Sequence, residues 1–356
     1  MHPIHDRVLE FIARPSAEEF DELALAVFEH QFESIAPYRR VCEARGRTPA
    51  AVRDWREIPP VPALAFKSFE LSCGPAERIF MTTGTTRGAG GRGRHCVPDL
   101  RLYRAASLDG LKRFVFPDKD RMRLLSLIPP ATDRPESSLA QMIAWAFEVL
   151  GDEASGQFAA GNVLDLEAFA AALRGCERSG EPACILTTTG ALIRFFDRCR
   201  DEGWAFRLSH GSRLMDTGGD KGAPRPMSRR GVLHAVWQTL AIPGYFCVNE
   251  YGMAELSSQF YDNVIRDREA GRFAHRAMAG PPWTRTRVLD PGTLNESPAG
   301  EVGLLCHLDL ANVGTAMCML TEDIGRQVEG GFELIGRAGG AEARGCSLVL
   351  AELEQR

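Results

Sequence analysis

The chain has 356 residues, 44% of them hydrophobic, enough to bury a full core as one large domain or two. A formal net charge of −5, with acids and bases interspersed, argues against nucleic acid as the main partner. The ten cysteines form no CxxC pair or regular spacing, so neither a zinc site nor a disulfide framework is expected.

The first fifty residues read as helical. Ser16 and Glu19 have capping-box spacing, and Phe20, Leu23, Val27 and Phe28 recur at the helical period behind them. The N-terminal MHPIHDRVLEFIARP has acids and histidines where a signal peptide needs a basic start and an unbroken apolar run. No run reaches the length of a membrane span, so a cytoplasmic location is expected. Pro59, Pro60 and Pro62 break the helical pattern.

Residues 81–95, MTTGTTRGAGGRGRH, follow the apolar pair Ile79 and Phe80. Glycines let backbone N–H groups approach an anion, threonine hydroxyls donate to it, and arginines neutralise its charge, so the stretch reads as a phosphate loop. No Gly-Lys-Ser/Thr follows the glycines, which excludes the Walker type.

Further on, 139–150 and 164–173 are expected as amphipathic helices and 183–187 as a short buried strand. Helices are expected again over 191–200 and 232–240, and a strand over 302–308. Such alternation points to an α/β body with mixed or parallel sheets flanked by helices. The stretches 124–130 and 138–150 are candidates to line an apolar tunnel, although such residues are usually core. After the apolar run 242–248 comes VNEYGMAELSSQFYD. A strand ending there in a turn would present Tyr251 as a stacking surface and Glu255 as an oxygen ligand for Mg2+.

Eight segments in register resemble the LuxE-type acyl-protein synthetases, within the adenylate-forming superfamily of acyl and aryl acid ligases. They are IPPVPALAFKSF (58–69), the phosphate loop, PESSLAQM (135–142), DTGGDKG (216–222), NEYGMAELSSQFYD, PPWTRTRVLDP (281–291), LTEDIGR (320–326) and GRAGGAEARGCSL (336–348). The resemblance implies an adenylate-forming core over 58–336, a helical lead-in over 1–57 and a short tail over 337–356 in place of a full C-terminal domain.

The resemblance further implies an AMP-forming ligase that uses ATP and Mg2+. It would activate a carboxylic acid, a fatty acid by expectation, and hand the acyl group to its own cysteine as a thioester. Thr82, Thr83, Gly84, Thr85, Thr86, Arg92, Arg94, Gly218, Gly219, Glu250, Tyr251 and Gly252 would then surround the nucleotide. Asp323 would bind the ribose hydroxyls, Arg337 would support the nucleotide, and Glu255 would be the metal ligand. Nineteen residues follow Arg337 and none is lysine, so charge stabilisation at the α-phosphate falls to Lys221, Arg92 or Arg94 with magnesium.

Cys346, in Arg344-Gly-Cys-Ser, matches the acyl-accepting position; the nearby arginine favours the thiolate. The remaining nine cysteines are expected as small buried hydrophobes. An acyl-accepting protein or a reductase is the expected partner. Two other readings stay open: a ligase whose acceptor is coenzyme A, a carrier-protein thiol or an amine, and a non-catalytic nucleotide-binding scaffold subunit. A hydrolase is disfavoured, because the chain has no GxSxG elbow.

Overall fold

A computed structural model describes residues 2–16, 18–82, 91–219, 225–338, 350 and 353. The chain divides into two compact units. Unit 1 comprises 1–109, 253–259 and 277–356, and unit 2 comprises 110–252 and 260–276.

Unit 2 is a βα succession. The strands Arg123–Ser126, Gly156–Gln157, Ala183–Thr188, Arg213–Thr217 and Cys247–Tyr251 pair in parallel, and Phe260–Asp262 closes the run antiparallel to Cys247–Tyr251. Helices Ser138–Leu150, Leu166–Ser179, Thr189–Glu202 and Arg229–Leu240 fall between them in sequence, as parallel pairing requires. Each starts on a side-chain cap: Ser137, Asp165, Thr188 and Ser228 accept from the N–H three residues on. Gly203 ends its helix with φ +67, in the left-handed region where an L side chain is strained. The strand Ala183–Thr188 is buried almost throughout, which is why it reads as a continuous apolar run rather than an alternation.

Arg213 is fully buried in this core. Its guanidinium forks onto both oxygens of Asp118, at 2.6 and 2.9 Å, and donates to Val115 O at 2.7 Å. Removing one partner of such a pair strands the other charge, so Asp118→Ala is expected to cost about 3 kcal/mol. Chemical denaturation checks this; a change inside the ordinary surface range of roughly 0.5 kcal/mol would show that Arg213 does not depend on the carboxylate.

Unit 1 carries an antiparallel sheet in the order Thr284–Leu289, Val302–Asp309, Cys318–Val328, Gly331–Arg337 and Met278–Ala279. Val61–Pro62 pairs in parallel with Cys318–Val328. The helices Ile4–Ala13, Phe20–Ser34 and Ala36–Ala44 bury Phe11 and Tyr38 together with Phe20, Leu23, Val27 and Phe28, the four that recur at the helical period.

The mixed α/β organisation agrees with the sequence reading, and the expected helices and strands lie within three residues of their observed ends, except that the helix expected to stop at 173 runs on to Ser179. One local expectation fails. The helix Phe20–Ser34 begins at Glu19 with no side-chain cap, so the Ser16/Glu19 capping box does not form. Glu19 is itself in helical geometry and its carbonyl already accepts from Leu23 N, which carries the turn into the helix without a side chain. All described cysteines are buried except the half-buried Cys73, in accord with a hydrophobe's role. No helix among the described residues is long and apolar enough to cross a membrane.

Candidate functional site

The stretch expected as a phosphate loop is flanked by the two strands of a hairpin in unit 1. Arg78–Met81 and Arg94–Val97 pair antiparallel, and Thr82 continues the ladder by exchanging bonds with Gly93: Thr82 N donates to Gly93 O at 3.0 Å and Gly93 N donates to Thr82 Oγ1 at 2.8 Å. Arg92 closes the stem, donating from Nε to Thr82 O at 2.6 Å. Arg94 is exposed at the start of the returning strand. Thr83, Gly84, Thr85 and Thr86 lie outside the described residues.

Glu255 belongs to the same unit, in the irregular segment 253–259. A β-carbon added to Gly93 would sit 3.7 Å from Glu255 Oε1, so the carboxylate lies against the stem of the loop. Glu255 is buried, and burial pushes its pKa up to about 7, against the pull of the positive charges of Arg337 and Lys67. The charge of Asp323 adds to the upward push. Asp323 and Arg337 face each other across the strands Cys318–Val328 and Gly331–Arg337, with Arg337 Nε 3.4 Å from Asp323 Oδ1. Unit 1 therefore gathers Thr82, Arg92, Arg94, Glu255, Asp323 and Arg337 from four separate stretches of sequence.

Lys67 is the member that the sequence reading passed over. It ends the 3-10 turn Ala63–Lys67, next to the buried Phe66, whose ring meets His95 edge-on at 5.8 Å. The signal was present, since Lys67 is the one cation in IPPVPALAFKSF, but no spacing rule connects it to Glu255 188 residues later.

Unit 2 holds the other candidates. Gly218 and Gly219 follow the strand Arg213–Thr217; Gly218 has φ +73, and among the described residues no atom beyond the chain neighbours lies within 4 Å of where a β-carbon of either would be. Thr217 Oγ1 donates to the buried Glu250 carboxyl, and burial pushes Glu250 up to about 7. Tyr251 ends the strand Cys247–Tyr251, buried, with its ring 6.0 Å from that of Phe260, and the exposed Gly252 follows. Lys221 and Cys346 lie outside the described residues.

A polar lattice with no forewarning in the residue pattern holds these strand ends. Arg229 Nη1 donates to Asp216 Oδ1 at 2.6 Å, and Arg229 Nη2 to Asp262 Oδ2 at 3.2 Å. Asn249 donates from its backbone N to Asp262 Oδ2 at 2.9 Å and from Nδ2 to Asp216 O at 3.0 Å. Thr189 Oγ1 lies 2.8 Å from Asp216 Oδ2 and 2.9 Å from Gly218 O, tying the glycine turn to the start of a helix.

Among the described residues no cluster of three or more His, Cys, Asp or Glu side chains could hold a metal ion by itself. Mg2+ takes one or two carboxylates and completes its shell with phosphate and water oxygens, so a single buried carboxylate such as Glu255 is compatible with a magnesium ion shared with substrate phosphates.

The family model described as acyl-protein synthetase, LuxE, matches residues 6–354. The long-chain-fatty-acid–luciferin-component ligase of Vibrio harveyi is 22% identical over 349 residues, covering 93% of this chain and 86% of that protein. The protein of the same name from Aliivibrio fischeri is 26% identical over 115 residues, 30% of this chain and 28% of its own. Among solved structures, an open conformation of 2-hydroxyisobutyryl-CoA ligase in complex with 2-HIB-AMP and CoA superposes with a TM-score of 0.65 at 16% identity, over 91% of this chain and 71% of that one. That likeness establishes the fold alone, a mixed α/β fold shared with that ligase.

Proposed function

Because the chain belongs to the LuxE family of acyl-protein synthetases, we propose that this ligase activates a long-chain fatty acid with ATP and Mg2+ as the acyl adenylate and then carries the acyl group on Cys346 as a thioester. The observation that carries the first half is the gathering in unit 1 of the Glu255 carboxylate, the stem of the phosphate loop, Lys67 and the Asp323–Arg337 pair. Each supplies one element of adenylation chemistry.

Glu255 would hold the magnesium ion, which when bound neutralises charge on the phosphates. A buried carboxylate whose desolvation is unfavourable regains stability when a cation sits beside it, so the environment of Glu255 suits this ligand. Thr82 and the loop it starts would donate to the phosphate oxygens, while Arg92 and Arg94 lend positive charge at its return. Asp323 would accept hydrogen bonds from the ribose hydroxyls, since a carboxylate is acceptor-only and takes two vicinal donors. Lys67, whose positive charge acts on Glu255, would add a cation to the side of the site where negative charge builds up on the phosphates.

In the first step the substrate carboxylate attacks the α-phosphorus and pyrophosphate leaves. In the second the Cys346 thiolate attacks the acyl carbonyl and AMP leaves, a far better leaving group than the oxygen of the free acid. The deciding experiment is pyrophosphate release from ATP and Mg2+ with a panel of carboxylic acids from short aryl to long fatty, followed by intact mass of the protein. Release that depends on a long-chain acid, with a gain of one acyl mass, is the expected result. Release without a mass gain would move the acceptor to a separate molecule; no release with any acid would leave a nucleotide-binding scaffold.

A further inference from the structure

The segment 253–259 that carries Glu255 has no regular secondary structure, and its internal backbone bond runs from Leu256 N to Met253 O at 3.1 Å. Yet Glu255, Leu256, Ser257, Ser258 and Gln259 are all buried. Buried backbone groups require partners, and here they are supplied by side chains from distant parts of unit 1. His95 Nδ1 donates to Ala254 O at 2.7 Å, while its Nε2 accepts from Thr315 Oγ1 at 3.1 Å. Asn312 Nδ2 donates to Glu255 O at 2.9 Å and its Oδ1 accepts from Ser257 N at 2.8 Å. Asp309 accepts from Ser258 N and Ser258 Oγ, both at 2.7 Å, and Trp283 Nε1 donates to the same hydroxyl at 2.8 Å.

Asn312 grips the residue that matters most. Its amide spans the peptide units on either side of Leu256, and its second N–H goes to Ala316 O at 3.1 Å, so all three of these bonds converge on one side chain. Asn312 is anchored in turn: Gln31 Nε2 donates to Asn312 O at 2.9 Å and to Val313 O at 3.1 Å. His95 has a second significance, because it lies two residues beyond Gly93 on the strand that returns from the phosphate loop. One imidazole therefore ties the loop's stem to the peptide that precedes Glu255.

We propose that Asn312 and His95 are positioning residues for the Glu255 carboxylate, holding it in register with the phosphate loop so that metal and phosphate meet it without rearrangement. Neither touches the nucleotide in this scheme; both act through the backbone of 254–257. The inference rests on the function proposed above, in which Glu255 is the metal ligand. Partners behind a metal ligand typically govern metal affinity by 10–100-fold, and a displacement of about 1 Å at a reacting group costs roughly 10²-fold.

The test is acid-dependent exchange of labelled pyrophosphate into ATP, measured against free Mg2+ in the full-length wild type and in Asn312→Ala, with folding checked by circular dichroism. A positioning role raises the Mg2+ concentration at half-maximal exchange by roughly tenfold or more. A merely structural role lowers the amount of folded enzyme, and hence the maximal rate, without moving the half-saturation point. Should Asn312→Ala fail to fold, His95→Leu is read in the same way, with His95→Asn, which keeps an N–H donor near the Nδ1 position, expected to restore the wild-type Mg2+ requirement. An unchanged Mg2+ requirement in a folded variant would overturn the inference while leaving the ligase reading intact. A wild-type protein that exchanges no pyrophosphate with any acid would overturn both.

Discussion

Replacing Glu255 by alanine is expected to lower acid-dependent pyrophosphate exchange by roughly 10² to 10³-fold, the scale on which one preorganised electrostatic group contributes to a reaction. The expectation follows from placement. Glu255 is buried, lies against Gly93 at the loop's stem, and among the described residues no metal-binding cluster offers a substitute ligand. The same substitution is not expected to unfold the protein, because the side chains that hold 253–259 grip its backbone and not the Glu255 carboxylate. Removing a desolvated carboxylate relieves an unfavourable burial, so thermal stability should be equal to or above wild type. Glu255→Gln, which keeps the shape and removes the charge, should show the same loss of exchange. Exchange at the wild-type rate in either variant would remove Glu255 from the chemistry.

Replacing Cys346 by serine is expected to separate the two half-reactions. Exchange should continue at the wild-type rate, because the thiol enters only after pyrophosphate has left, whereas the gain of one acyl mass on the protein should vanish. A serine hydroxyl is a far weaker nucleophile than a thiolate at neutral pH unless a base activates it. Arg344, two residues before Cys346 in sequence, is a permanent cation and would offer no such base. Intact mass after incubation with ATP, Mg2+ and a long-chain acid reads the outcome, and treatment with hydroxylamine distinguishes a thioester from a stable ester. An undiminished acyl mass on Cys346→Ser would place the acceptor elsewhere on the chain.

How the fold could be read in advance varies from element to element. The helices Phe20–Ser34, Ser138–Leu150 and Thr189–Glu202 were legible because one face of each is buried and the apolar period records that face. The buried strand Ala183–Thr188 was legible as an apolar run bounded by polar residues. The capping box at Ser16 was misread because a favourable pair of residue types at the right spacing does not oblige the backbone to adopt the cap; here Glu19 already has helical geometry.

The candidate site divides along the same line. Glu255, Asp323, Arg337 and the loop from Thr82 stand in segments whose composition and order are recognisable in one dimension, so the sequence by itself determined the fold class, the family resemblance and these candidate residues. Their neighbours were not recoverable in this way. Lys67, His95, Asp309 and Asn312 act on the 253–259 segment from 51 to 188 positions away, and each is an ordinary residue type in an ordinary local context. Pairing of strands and turns distant in the chain decided that they meet. The physical reason is the demand of buried backbone: an irregular segment pressed into the core must find donors and acceptors outside itself, and only the folded chain determines which side chains arrive to supply them.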